Sequence, residues 1–233
     1  MLGRTVGVAA AIALAAAAPA HAATIERLHK PGKRSYFAFV NRAEPARAKP
    51  SASARTVAKL TRKTGEGTDD LVHVLERTRV RGRTWLRVRL PVRPNGTTGW
   101  VPESALSELQ PLNTWLRIST KTFRATLIKG GKKVWSAPVG VGQPQWRTPA
   151  GQFYIRAKLQ DFGGGVYGPL AFITSATSPT LTDWPGGGIV GIHGTNQPGL
   201  IPGRISHGCV RVRNADIVRL SKLMPVGTPL TVT

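Results

Sequence analysis

The sequence has a single cysteine, Cys209, which excludes an internal disulfide. It is also poor in acid. Asp and Glu number 11 against 33 Lys and Arg, giving a formal net charge of +22. That excess predicts attraction to an anionic partner. No CxxC or HxxxH spacing occurs, so no metal site and no cofactor are implied. No internal repeat is present, and beyond residue 22 no apolar run is long enough to span a bilayer.

The N-terminus says where the charge is used. Arg4 precedes an apolar run from Val6 to Ala18, Pro19 breaks it, and Ala20-His21-Ala22 is a small-x-small cleavage site. This is the three-part layout of a secretory signal over residues 1–22, and its core is short for a membrane anchor, the alternative reading. Export to the periplasm or cell wall follows, with no transmembrane anchor after cleavage. The anionic partner is then a wall polymer or lipid headgroup rather than nucleic acid. A lone exported thiol is buried and inert, linked to another chain, or reactive.

The chain reads as mainly β. Residues 23–34 are basic and without periodicity, a flexible lead. Tyr36 to Val40 is a first strand, and Asn41 to Ala54 is a loop or tether. Leu71 to Leu75 is a strand in which His73 is a packing or edge residue. In Trp85 to Leu90 the apolar Leu86, Val88 and Leu90 share one face. Asn95-Gly96 marks a turn, Gly99-Trp100-Val101 restarts a strand, and residues 102–106 suit a single helical turn. Residues 35–109 therefore suggest a small barrel. Their spaced strands, Trp85-Leu86-Arg87-Val88 and Gly99-Trp100-Val101-Pro102 resemble a bacterial SH3-like domain, a module that often sits beside wall enzymes.

Gln110 to Asn113 reads as a boundary, and new strands begin at Trp115. Lys129-Gly130-Gly131-Lys132 is a hairpin turn. The glycine-rich loop Gly163 to Gly168, carrying Tyr167, is expected to flank a groove. One helix is predicted, capped by Asn214, with Ile217, Leu220 and Met224 on one face and Pro225 and Gly227 ending it.

Cys209 stands in Ser206-His207-Gly208-Cys209-Val210-Arg211, and His193-Gly194-Thr195 lies upstream. A cysteine needs an imidazole or a positive field to become a ready nucleophile. An extended 207–211 segment would point His207, Cys209 and Arg211 the same way. Gly208 allows close approach to the backbone, and the Gly208 and Cys209 amides are the oxyanion candidates. Local geometry alone favours His207 as the base. A cysteine made anionic by an imidazole, beneath two main-chain amides, is the expected arrangement.

Together the two motifs resemble the signature of L,D-transpeptidases with a YkuD-type catalytic domain, over about residues 113–233. That resemblance implies a mostly-β catalytic domain with Cys209 as nucleophile. It makes His193 the base, in place of His207, with its ring oriented by the Gly194 carbonyl. His207, Gly208 and Ser206 become supporting or oxyanion groups. Arg211, Thr195 and Tyr167 are the substrate-side candidates, Arg211 to hold a carboxylate or lock the loop, and Thr195 also a hydrogen-bonding support. The implied reaction is acyl transfer from a peptidoglycan tetrapeptide stem through a Cys209 thioester to a second stem's amine, making a 3→3 crosslink. Water as acceptor would make an L,D-carboxypeptidase, and a protein amine an anchoring enzyme. Carbapenems, which acylate the family's cysteine, would label it. A non-catalytic wall-binding protein is the alternative of a different class. Papain-like and NlpC-type peptidases place cysteine before histidine, and sortases lack His-Gly-Cys, so both fit worse.

Overall fold

The computed structural model describes residues 24–160, 165–182 and 187–233. The signal-like segment 1–22 with its cleavage site, and Gly163 and Gly164 of the glycine-rich loop, lie outside the described residues. No helix among the described residues is long and apolar enough to cross a membrane.

The first half forms an eight-stranded sheet: β1 (Ile25–Arg27), β2 (Ser35–Phe39), β3 (Glu44–Arg47), β4 (Thr56–Leu60), β5 (Leu71–Val80), β6 (Arg83–Arg89), β7 (Thr98–Pro102) and β8 (Gln110–Leu112). The strand order is β4-β3-β7-β6-β5-β2-β8, with β1 added to β5. Leu86, Val88 and Leu90 do share a face, and they pack with Val72, Val74 and Val101 in one buried cluster. His73 is 1% exposed, its ring stacked on Tyr154 and edge-on to His29. Residues 103–105 make one 3-10 turn.

Three sequence expectations change here. Residues 24–34 are not a free lead, because Ile25–Arg27 pairs antiparallel with Glu76, Arg77 and Thr78. β2 covers only Leu71 to Val74 of β5, which leaves an open edge that β1 closes. All three β1 side chains are exposed, so no burial alternation was there to be read. Within Asn41–Ala54, Glu44–Arg47 is a strand between β4 and β7. Gln110–Leu112 pairs with β2, and the chain changes sheets at Asn113.

The second half is a ten-stranded mixed sheet. Its strands are β9 (Thr114–Ser119), β10 (Arg124–Lys129), β11 (Lys132–Pro138), β12 (Gly140–Gly142), β13 (Gly151–Gln160), β14 (Leu170–Thr177), β15 (Ile189–His193), β16 (Gly203–Ser206), β17 (Val210–Arg211) and β18 (Pro229–Val232). The order is β11-β10-β9-β18-β13-β14-β15-β17-β12-β16. Helix α1 (Asn214–Leu223) lays Ile217 and Leu220 into the core, and Met224 follows them beside Phe172, Ile192 and Val210. The fold is thus mostly β with one short α-helix among the described residues.

Asn214 does not cap that helix. Arg213 occupies the cap position without a side-chain bond, and Asn214 Oδ1 instead accepts the Thr195 N–H at 2.8 Å. The side chain is committed to the site loop rather than to its own helix.

The two sheets meet through Phe37, Leu71 and Tyr154, a small buried cluster. Tyr154 Oη donates to the Leu71 carbonyl at 3.2 Å. Arg156 grips Asp70 with two bonds, Nε to Oδ1 at 2.7 Å and Nη2 to Oδ2 at 2.6 Å. The carboxylate is 3% exposed and the Arg156 side chain 11%, so this ion pair is largely shielded from water. Gly227, at φ +79°, passes so close to Phe37 that a Cβ would sit 2.4 Å from the ring.

Candidate active site

The site is assembled where β17 runs parallel to β15. Ile192 faces Val210 and His193 faces Arg211 across the pair. Cys209 immediately precedes β17, which brings it beside Gly191, and the Gly191 N–H donates to Cys209 Sγ at 3.3 Å. A main-chain donor aimed at sulfur favours the thiolate over the thiol. Gly191 was not singled out from the sequence, since nothing local to it marks a bond to a residue so distant.

His193 closes β15. Its ring is 4% exposed, and its Nδ1 lies 2.6 Å from the Gly194 carbonyl. A carbonyl only accepts, so Nδ1 carries the proton and Nε2 keeps a free lone pair. Tyr167 packs edge-on to this ring at 5.0 Å between centroids. Gly168 (φ +64°) and Gly194 let the Tyr167 loop close onto the His193 turn, because a Cβ on either would sit 2.5 Å from Asn214 Oδ1.

The turn bearing the cysteine is clamped from two sides. Ser206 Oγ accepts the Gly208 N–H at 3.1 Å and donates a short bond to the Cys209 carbonyl. Thr148 Oγ1 donates to the Gly208 carbonyl at 2.8 Å and accepts the Gly142 N–H at 2.9 Å. Thr148 lies 60 residues from Gly208, and the sequence carried no sign of it.

A cavity of about 220 Å³ opens over this turn. Cys209, His193, His207, Ser206, Arg211 and Tyr167 line it, together with Ser178, Leu181, Gly188, Ile189 and Val190. Arg211 sends Nη1 to Gln197 Oε1 at 3.2 Å, and its buried Nε has no partner among the described residues.

Three expectations are corrected. Segment 207–211 is not uniformly extended, because Gly208 has φ +117°. His207 is consequently exposed and packs on Trp146 at 4.2 Å, while His193 is buried and has a fixed tautomer. The Gly208 amide is already spent on Ser206 Oγ, so it is a clamp rather than an oxyanion donor. Thr195 is 1% exposed, bonded through its N–H to Asn214 and through its hydroxyl to the Gln197 N–H at 3.0 Å. It fastens the loop and presents no free face to a substrate.

The electrostatics also differ from an anionic sulfur at rest. Burial pushes the Cys209 thiol up, opposed by the Gly191 N–H and the Arg211 cation. Burial pushes His193 down to about 4, with the Gly194 carbonyl opposing and Arg211 adding to the shift. Both shifts favour the uncharged form, so the resting pair near neutrality is thiol and imidazole. The arrangement suits a nucleophile whose proton leaves as it attacks.

Residues 113–232 match the family model of the L,D-transpeptidase catalytic domain, YkuD. YkuD of Bacillus subtilis, which carries an L,D-transpeptidase name, is 32% identical over 122 residues, 52% of this chain and 66% of that protein. YbiS of Escherichia coli K12, also named as an L,D-transpeptidase, is 55% identical over 42 residues, 18% of this chain and 14% of its own. A crystal structure of the Enterococcus faecium L,D-transpeptidase aligns over 52% of this chain and 49% of that one, at 25% identity and a TM-score of 0.41. The chain thus spans less than two thirds of the length of each of these relatives. The family match covers the whole second sheet and every residue described around the cavity, and by it the chain belongs to the L,D-transpeptidase family with the YkuD-type catalytic domain.

Proposed function

We propose that the protein is a cysteine-dependent peptidoglycan L,D-transpeptidase that forms 3→3 crosslinks through a Cys209 thioester. The observation that carries the reading is the shared cavity. Cys209 Sγ, held by the Gly191 N–H, and His193, held by the Gly194 carbonyl, open onto the same space.

Cys209 Sγ attacks the carbonyl of the third residue of a tetrapeptide stem. His193 Nε2 takes the thiol proton as the S–C bond forms. The oxyanion of the tetrahedral intermediate faces the Cys209 amide, since Gly208 is engaged elsewhere. Collapse breaks the C–N bond to the terminal D-alanine, and His193 returns the proton to the leaving amine. The amine of a second stem then attacks the thioester and loses its proton to His193. The thiolate leaves and is reprotonated. Arg211, which lines the cavity, holds a donor carboxylate through its guanidinium. Tyr167 fixes the His193 ring and borders the donor, and Ser206 holds the nucleophile turn.

The first sheet is read as an SH3-like module that keeps the enzyme near the wall. The net charge of +22 suits anionic wall polymers, and residues 1–22 suit export to the periplasm or cell wall. The test is mass spectrometry of muropeptides after incubation of tetrapeptide stems with the purified protein. Crosslinked dimers with loss of D-alanine are expected, and none from Cys209→Ala. Crosslinks made by that variant would overturn the reading.

A further inference from the structure

The cavity wall opposite in sequence to the catalytic motifs is not held by the catalytic sheet alone. It contains Ser178, Leu181 and Gly188, from the segment joining β14 to β15, and Ile189, which opens β15. The near end of this segment is pinned by Asn95, which belongs to the β6–β7 connection of the first sheet. Asn95 Oδ1 accepts the Thr177 N–H at 3.0 Å and the Thr177 hydroxyl at 3.1 Å, and its Nδ2 donates to the Thr177 carbonyl at 2.7 Å. One amide thus pairs with both main-chain groups of Thr177, much as a neighbouring strand would.

Arg93, two residues away, ties the two ends of the segment together. Its Nη2 donates to the Ser178 carbonyl at 3.3 Å and to the Gly187 carbonyl at 2.8 Å. Ser178 N–H donates to the Gly188 carbonyl at 2.7 Å, and Gly188 adopts φ +73°. A Cβ at Gly188 would lie 1.9 Å from the Leu181 carbonyl oxygen and 2.9 Å from Arg93 Nη2, so the backbone and the guanidinium are in close contact there. Ser178 Oγ then accepts the Leu181 N–H at 3.1 Å, which passes the constraint on to a cavity-lining residue.

We infer that Asn95 and Arg93 are positioning residues that make the first sheet part of the donor site, by fixing the cavity wall against which the stem peptide packs. This rests on the proposed function for the identity of the donor. The two residues touch neither Cys209 nor His193, so they set how well the donor is held rather than the bond-making step. Five hydrogen bonds, four of them to main-chain groups and one to the Thr177 hydroxyl, hold Thr177, Ser178 and Gly187 at the ends of the wall segment. Loss of that network removes the wall's hydrogen bonds to Asn95 and Arg93.

The experiment compares the wild-type chain with Asn95→Ala/Arg93→Ala, and with the milder Asn95→Ser and Arg93→Lys. Amide hydrogen exchange over residues 177–182 and 187–190 reads the wall directly and needs no substrate. D-alanine release from a tetrapeptide stem reads the donor site. Exchange in the wall is expected to rise about tenfold in the double variant, with β13 unchanged. KM for the stem is expected to rise roughly fivefold or more, with kcat within twofold, and Arg93→Lys to lie between. Unchanged wall exchange overturns the inference, as does a fall in kcat with KM constant. If the wild-type protein releases no D-alanine, the proposed function fails, while the exchange result still decides whether the first sheet holds the wall.

Discussion

Gly191 and Cys209, eighteen positions apart, meet as donor and acceptor at 3.3 Å, the main-chain N–H of one strand against the sulfur at the start of its parallel neighbour. This contact and the Gly194 carbonyl on His193 each oppose a burial that favours the neutral form of the group they touch. Sulfur and imidazole are both held in place, yet both rest uncharged.

The rate–pH profile follows from those directions. On the proposed mechanism His193 serves as base in its neutral form, present above about pH 4, and Cys209 stays protonated to a higher pH than a free thiol. Acylation by a carbapenem should hold a plateau from about pH 5 into the mildly alkaline range and fall as pH drops through about 4. Alkylation by iodoacetamide in His193→Ala, which needs free thiolate, should rise only on the alkaline side. A profile for the wild type that breaks near pH 6.5 would place His193 at its ordinary value.

Acid stability should show the same burial. His193 at about 4, and His73 held well below its ordinary value by burial with His29 and Arg89 nearby, bind fewer protons folded than unfolded. For a depressed histidine the stability present above the unfolded value, about 6.5, is lost as pH falls toward the folded one. Urea unfolding between pH 6.5 and pH 4 should lose up to roughly 1.4 kcal/mol per pH unit for each such histidine. A flat midpoint across that window would contradict the neutral assignments.

Thr148→Val removes one hydroxyl and strands two buried partners, the Gly142 N–H and the Gly208 carbonyl. A cost of about 1–3 kcal/mol in stability is expected. Turnover should fall more than tenfold, since the nucleophile turn loses its fastening, and Thr148→Ser should restore most of both. Equal behaviour of the valine and serine variants, measured by thermal melting and stem turnover, would remove Thr148 from the clamp.

The Asp70–Arg156 pair joins the two sheets with its carboxylate buried. Arg156→Met alone leaves a buried carboxylate without its cation and should cost about 3–5 kcal/mol. Asp70→Leu/Arg156→Met should recover a large part of that. If Arg156→Met unfolds in urea like the wild type, the pair contributes nothing to the junction.

The chemistry was more legible in the sequence than the scaffold that holds it. His193-Gly194 and Ser206 to Arg211 each fall in a short stretch, and it was the resemblance to the L,D-transpeptidase signature that joined them into one site and put His193 before His207. Periodicity also found the face of α1, and turn residues the hairpin at Gly130-Gly131, because both are local patterns. Asn214 misled, since the residue type suits a helix cap and only the tertiary fold shows its oxygen turned to Thr195. Gly191 and Thr148 carried no local mark, and Asn95 was marked only as part of a turn. Each acts through a main-chain bond to a residue 18, 60 or 82 positions away, and such bonds depend on topology rather than pattern. β1 was missed for the same reason, being held by the open edge of β5 rather than by buried side chains.

The most direct measurement is the intact mass of the protein after mixing with a tetrapeptide stem and no acceptor, followed by peptide mapping. The account predicts a tripeptide acyl adduct on Cys209 with one D-alanine released, and no adduct from Cys209→Ala or His193→Ala. Stem turnover that persists in Cys209→Ala, or an adduct mapped to any other residue, would contradict it.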